Sequence, residues 1–275
     1  MNLKENNEKN KKKNIGIIIF RIISLIIITI CLVVLFIWQK DNSSNSTIQN
    51  DLSNLISIKE LYTNEENENL ENNGNTDNTR LDAKKLNDLK VDFNSLKSKN
   101  SETVAWIKIN NTNINYPIVQ ASNNSYYLTN NFNKEKNSAG WIFADYRNNF
   151  ETLDKNTIIY GHNRKNGTMF SNLNYYLTSN WYTNEDNKYF NFITPNQSFI
   201  AEIFSVYKVP TNQVSLKNNF SSTEELEENI TAWKNASIYD FKTNVTTQNN
   251  LLTLYTCDNN TAYRIIVVSK LIPIN

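Results

Sequence analysis

Leu251-Leu-Thr-Leu-Tyr-Thr-Cys257-Asp-Asn-Asn-Thr-Ala-Tyr-Arg264-Ile-Ile-Val-Val-Ser-Lys-Leu271 reads as two apolar strands joined by a short polar turn. Each strand is rich in leucine or β-branched residues, and the turn between them is rich in asparagine. Cys257 stands at the end of the first strand, where a rigid scaffold leads into a loop. Arg264 stands near the start of the second. Antiparallel pairing of the two strands would set Cys257 and Arg264 side by side.

Working back along the chain, Thr157–Tyr160 reads as another strand, followed by Gly161 and His162. Gly161 predicts an unusual turn there. Further strands are expected at Val104–Ile109, Ile114–Val119, Gly140–Asp145, Lys188–Ile193 and Ser198–Val209. Pro117 marks an edge or a bend. These segments are short, β-branched or aromatic, and separated by polar turns. That distribution predicts a mixed or antiparallel barrel rather than alternating βαβ units. One helix interrupts the late strands. Ser222-Thr223-Glu224-Glu225 has the form of a capping box, and Leu226, Ile230 and Trp233 follow as an apolar stripe. Leu86, Leu89, Phe93 and Leu96 recur at helical spacing, which predicts a helix before the first barrel strand.

The N-terminal part is of a different kind. Residues 1–14 are polar and carry Lys9, Lys11, Lys12 and Lys13. Residues 15–38 are apolar except for Arg21 and Ser24, long enough to cross a bilayer. Arg21 lies close enough to one end to reach the headgroups, and Trp38 falls at the opposite interface. A cleaved signal peptide would have a shorter apolar stretch and a small-residue cleavage site. The expectation is therefore an uncleaved single-pass anchor in the cell membrane. The preceding lysines keep the N-terminus cytoplasmic and the remainder extracellular. Residues 39–79, rich in Asn, Ser, Glu and Thr, read as a linker, and 80–275 as the folded domain.

Among 275 residues there are 28 basic and 27 acidic side chains, a net charge of +1, which argues against a nucleic-acid partner. Cys31 lies in the apolar stretch and Cys257 in the distant domain, so no disulfide joins them. With one histidine, metal sites built from several Cys and His ligands are excluded, and no cofactor is implied. Counts alone fit an inert buried cysteine and a surface histidine better than an enzyme. Position favours chemistry. A thiol with an ordinary pKa near 8.5 needs a base or a neighbouring cation. His162 is the one side chain suited to titrate near neutrality, and a guanidinium at Arg264 would stabilise a thiolate or an oxyanion.

The order His162, then Thr253-Leu254-Tyr255-Thr256-Cys257, then Arg264 on the next strand resembles the sortases. Class B sortases are resembled most, through Phe93–Ile107, Asn115–Gln120 with Tyr126-Tyr127-Leu128, and Tyr160-Gly161-His162-Asn163 running on to Leu173. The resemblance covers about residues 80–275. Ala105 departs from it, standing where the family often has glycine before Trp-Ile. The resemblance implies an eight-stranded β-barrel with an N-terminal helical extension and a helix between strands 6 and 7. It implies a cysteine transpeptidase in which Cys257 attacks after a Thr in the C-terminal sorting signal of a secreted protein. His162 would then be the proton donor and acceptor, and Arg264 the oxyanion stabiliser. The acceptor amine would belong to peptidoglycan peptide or its lipid-linked precursor. Two other functions fit the same residues: a cysteine endopeptidase that transfers to water, and a non-enzymatic membrane-tethered adhesion or scaffold module.

Overall fold

A computed structural model of the chain describes residues 3–59, 88–257 and 262–274; for Cys257 it describes the backbone. Leu86 and residues 60–79 of the linker expected at 39–79 lie outside the described residues. The chain divides into two compact units, Met1–Ser46 and Thr47–Asn275.

The first unit is the N-terminal part of one helix, α1 (Leu3–Ser53). Its side chains from Ile15 to Trp38 are almost all exposed, and the helix is long and apolar enough to cross a membrane.

The second unit begins with the last turns of α1, where Leu52 is buried and Gln49 Nε2 donates to the Asn113 carbonyl at 3.1 Å. A short antiparallel pair follows, β1 (Ile56–Lys59) with β2 (Asp88–Val91). The linker expected at 39–79 is therefore helical as far as Ser53 and extended at Ile56–Lys59. The helix expected across Leu86–Leu96 is corrected. Leu89 lies in β2 opposite Ile58, and helix α2 runs only over Phe93–Lys99. Asp92 sets that start, because its carboxylate accepts from the Ser95 amide at 3.0 Å and so caps the first turn.

Eight strands then close a barrel: β3 (Thr103–Lys108), β4 (Asn115–Val119), β5 (Phe143–Ala144), β6 (Asn156–Gly161), β7 (Tyr189–Ile193), β8 (Ser198–Pro210), β9 (Leu251–Cys257) and β10 (Tyr263–Ile274). Their order around the barrel is β10-β8-β7-β3-β4-β5-β6-β9. Most pairs are antiparallel; β4 with β5 and β6 with β9 are parallel. Of the stretch expected at Gly140–Asp145, only Phe143–Ala144 forms a strand. It touches β4 at one position, Val119 opposite Phe143. That leaves Pro117 beside a local edge, where its missing N–H costs no ladder bond.

Between β6 and β7 lies the short helix α3 (Ser179–Tyr182), and between β8 and β9 lies α4 (Thr223–Ala236). Ser222 Oγ caps α4 by accepting from the Glu225 amide, while the Glu225 carboxylate reaches back to the Ser221 amide at 2.6 Å. The expected stripe of Leu226, Ile230 and Trp233 is buried. It packs on Phe204, Leu251, Ile266 and Val268 outside the barrel wall, while Leu252, Leu254, Ile265 and Val267 fill the interior. Alternation along β9 and β10 thus feeds two cores at once, which is why both strands read as nearly continuous apolar runs.

Candidate active site

β6 and β9 run in the same direction, with Asn156 opposite Leu251 and Gly161 opposite Thr256. Parallel partners lie about 4.8 Å apart. The next residues, His162 and Cys257, therefore follow neighbouring positions at the same end of the barrel. On the other side of β9, Arg264 is the register partner of Cys257. The backbone brings all three sequence-derived candidates to one rim of three adjacent strands, β6, β9 and β10.

Each residue of the segment before Cys257 has a distinct physical task. Thr253 Oγ1 donates to Asn156 Oδ1 at 2.8 Å, pinning the start of the parallel pair. Leu254 fills the interior. Tyr255 packs against the outer core, and its hydroxyl accepts from Arg264 Nε at 2.8 Å. Thr256 Oγ1 donates to the Gly161 carbonyl at 2.6 Å, pinning the end of the pair.

Gly161 serves space rather than an unusual turn, a correction to the sequence reading. A Cβ there would lie 2.5 Å from Ile142 Cδ1 and 2.7 Å from Phe170 Cδ2, and its φ is not in the left-handed region. The loop that follows folds back tightly. The Phe170 amide donates to the His162 carbonyl at 3.0 Å, and the Met169 amide donates to Tyr116 Oη at 3.1 Å. Gly167, at φ +81°, makes the reversal possible. The His162 carbonyl is thus held by Phe170, whose neighbour Met169 is tied to β4 through Tyr116.

The imidazole of His162 is half-exposed, with Nε2 2.9 Å from the Leu128 carbonyl oxygen. A carbonyl oxygen can only accept, so Nε2 carries the hydrogen in this contact. In the neutral ring the basic nitrogen is then Nδ1. The half-buried Arg264 also donates from Nη1 to the Tyr263 carbonyl at 3.0 Å.

A charged pair sits behind the rim. Arg147 grips the fully buried Asp145 carboxylate with Nε at 2.8 Å and Nη2 at 2.7 Å. Tyr160 and Asn124 donate to the same carboxylate at 2.8 and 3.0 Å. Burial works to raise the pKa of Asp145. The Arg147 hydrogen bonds, with those of Tyr160 and Asn124, outweigh it and hold the group at about 2. Burial, and then the hydrogen bond to Asp145, push the Tyr160 hydroxyl well above its usual range, so it stays protonated. Tyr160 meets Tyr255 edge-on, with centroids 5.2 Å apart. The sequence reading assigned nothing to Tyr160, Tyr255 or Asp145. The visible signal was spacing alone: Tyr160 stands two residues before His162, and Tyr255 two before Cys257. No group of three or more His, Cys, Asp or Glu able to hold a metal occurs among the described residues.

The "Sortase domain" family model matches residues 107–272, more than half of the chain. Sortase B of Listeria monocytogenes is 35% identical over 219 residues, covering 78% of this chain and 88% of that protein. A Staphylococcus aureus sortase B–substrate complex superposes with a TM-score of 0.63 at 34% identity, covering 66% of this chain and 85% of that one. A Bacillus anthracis protein described as similar to sortase B superposes with a TM-score of 0.68 at 30% identity, covering 86% of this chain and 98% of that one. With its closed eight-stranded barrel and these matches, the chain belongs to the sortase family, the cysteine transpeptidases that anchor proteins to the cell wall, and within that family it is most like sortase B.

Proposed function

We propose that this chain is a membrane-anchored, class B-like sortase that cleaves a C-terminal sorting signal after a Thr and joins the new carboxyl end to a cell-wall peptide amine. The Cys257 thiolate attacks the carbonyl carbon of that Thr, and negative charge moves to the carbonyl oxygen beside Arg264. His162 gives its Nδ1 proton to the leaving amide nitrogen as the C–N bond breaks, leaving a thioester on Cys257. An amine of peptidoglycan peptide or its lipid-linked precursor then attacks the thioester. His162 Nδ1 takes up the proton that this amine loses, and the Cys257 thiolate departs. The net change is one amide broken and one formed.

The register carries this reading: Gly161 opposite Thr256 and Arg264 opposite Cys257. The apolar part of α1 supports a single-pass anchor, and the lysines before it support a cytoplasmic N-terminus with the barrel outside. The Staphylococcus aureus substrate complex supports a sorting-signal substrate by kinship. By the resemblance to class B sortases, which implies an Asn-Pro- or Ser-Pro-led pentapeptide signal, the full chain in detergent should cleave a pool of such pentapeptides containing Thr. Added triglycine should divert the product from free acid to peptide conjugate. Cys257→Ala should abolish both products. Equal product mixtures with and without triglycine would make the protein an endopeptidase, and cleavage by the Cys257→Ala variant would end the cysteine mechanism.

A further inference from the structure

Arginine has a long flexible stem, with roughly 2 kcal/mol of rotamer entropy to lose on being fixed. A guanidinium that stabilises developing charge is effective only if it is already in place. The register puts Arg264 on the rim but does not fix its tip. Beside the Nη1 bond to the Tyr263 carbonyl at 3.0 Å, the tip is held by Tyr255, whose hydroxyl oxygen accepts the Arg264 Nε hydrogen at 2.8 Å. The guanidinium carbon also lies 6.0 Å from the Tyr255 ring centroid. Tyr255 is the diagonal neighbour of Arg264 across the β9–β10 ladder, a spacing that long and aromatic side chains span.

Tyr255 is braced in turn. Tyr160, its register partner on β6, presses on it edge-on at 74°. Phe143 stacks on Tyr160 at 5.2 Å, and the Tyr160 hydroxyl is tied to Asp145 at 2.8 Å. Asp145 is clamped by Arg147. A continuous chain of side chains therefore runs from the buried Asp145 carboxylate, ion-paired to Arg147, to the tip of Arg264.

We propose that Tyr255 is a positioning residue for the transpeptidation: it holds the Arg264 guanidinium in place by accepting its Nε–H, with Tyr160 and Asp145 fixing the tilt of the Tyr255 ring. This rests on the reading of Arg264 as the charge stabiliser. Tyr255→Phe removes the acceptor and keeps the ring, so the packing against α4 is preserved. In the full chain in detergent, with the pentapeptide pool and triglycine as probes, Tyr255→Phe should lower kcat about ten- to a hundredfold, the size of one hydrogen bond from a charged donor, with KM nearly unchanged.

The decisive comparison is the double variant. Tyr255→Phe in an Arg264→Ala background should slow the reaction no further, because the residue it positions is gone. A packing role would give independent, multiplicative losses, and that result overturns the proposal. Inactivity of the wild-type protein would defeat the functional reading instead, and the positioning would then be decided by NMR. In ¹⁵N-arginine-labelled protein, the Arg264 Nε–H, assigned with Arg264→Lys, should exchange with solvent at least several-fold more slowly than in Tyr255→Phe. Equal exchange would show that Tyr255 does not hold it.

Discussion

The Thr256 hydroxyl donates to the Gly161 carbonyl at 2.6 Å, tying the residue before Cys257 to the residue before His162. The two are 95 positions apart in sequence, so this bond sets the relation between the proposed nucleophile and its proton partner. Thr256→Val keeps the shape and removes the donor. It should cost about 1–3 kcal/mol of stability, since Thr256 is fully buried and the Gly161 carbonyl loses a donor. Peptide turnover should fall further than the loss of folded protein explains. Chemical denaturation alongside turnover at a temperature where both proteins are folded checks this; unchanged turnover would show that the tie is structural only.

Because His162 is the only histidine, its ring nitrogens give unambiguous NMR signals. The contact with the Leu128 carbonyl predicts the Nε2–H tautomer in the neutral ring. Long-range ¹H–¹⁵N correlation at a pH above the imidazole titration should show Nε2 protonated and Nδ1 bare. The opposite pattern would remove Nδ1 as the proton-transfer atom.

Asp145 makes a pH-dependent contribution that can be isolated. Its folded pKa, about 2, lies below the ordinary 3.8. Its stabilisation is therefore complete above 3.8 and disappears as pH falls through 2. The contribution should be about 1–2 kcal/mol, reduced from the full shift because the Arg147 side chain is 41% exposed. Unfolding free energies measured from neutral pH down through this window should fall more steeply for the wild type than for Asp145→Asn. Parallel curves would contradict the assignment.

Glu202 on β8 bridges Lys188, just before β7, at 3.1 Å and Lys270 on β10 at 3.0 Å, with all three side chains largely buried. Glu202→Gln would leave two buried cations facing each other and should destabilise the fold by about 3–5 kcal/mol. Replacing all three by apolar residues of similar size should recover most of that loss. Thermal unfolding of the single and triple variants distinguishes the cases; an equally unstable triple variant would mean that the site depends on charge rather than on compensation.

The parts of the molecule legible in the sequence were those with a local cause. The cap at Ser222 and the stripe of Leu226, Ile230 and Trp233 are set within α4 itself, and both are present. The strand ending at Cys257 shows in its own leucines and threonines. Where a long-range partner decides, local patterns misled. Leu89 and Phe93 keep helical spacing, yet Leu89 pairs in a strand with Ile58. Gly161 suggested a special backbone, but its constraint is the side chains of Ile142 and Phe170, which arrive from elsewhere.

Sequence alone determined that an apolar helix precedes a β-rich domain, and that a cysteine, a histidine and an arginine stand at strand ends. Hydrophobic runs, caps and turn residues act over a few positions, so they can be read directly. Only the tertiary structure decided that β6 and β9 run parallel in the register that aligns Gly161 with Thr256, and that Tyr255 grips Arg264. Register between distant strands follows from how the whole barrel packs and closes, and no local pattern carries that information.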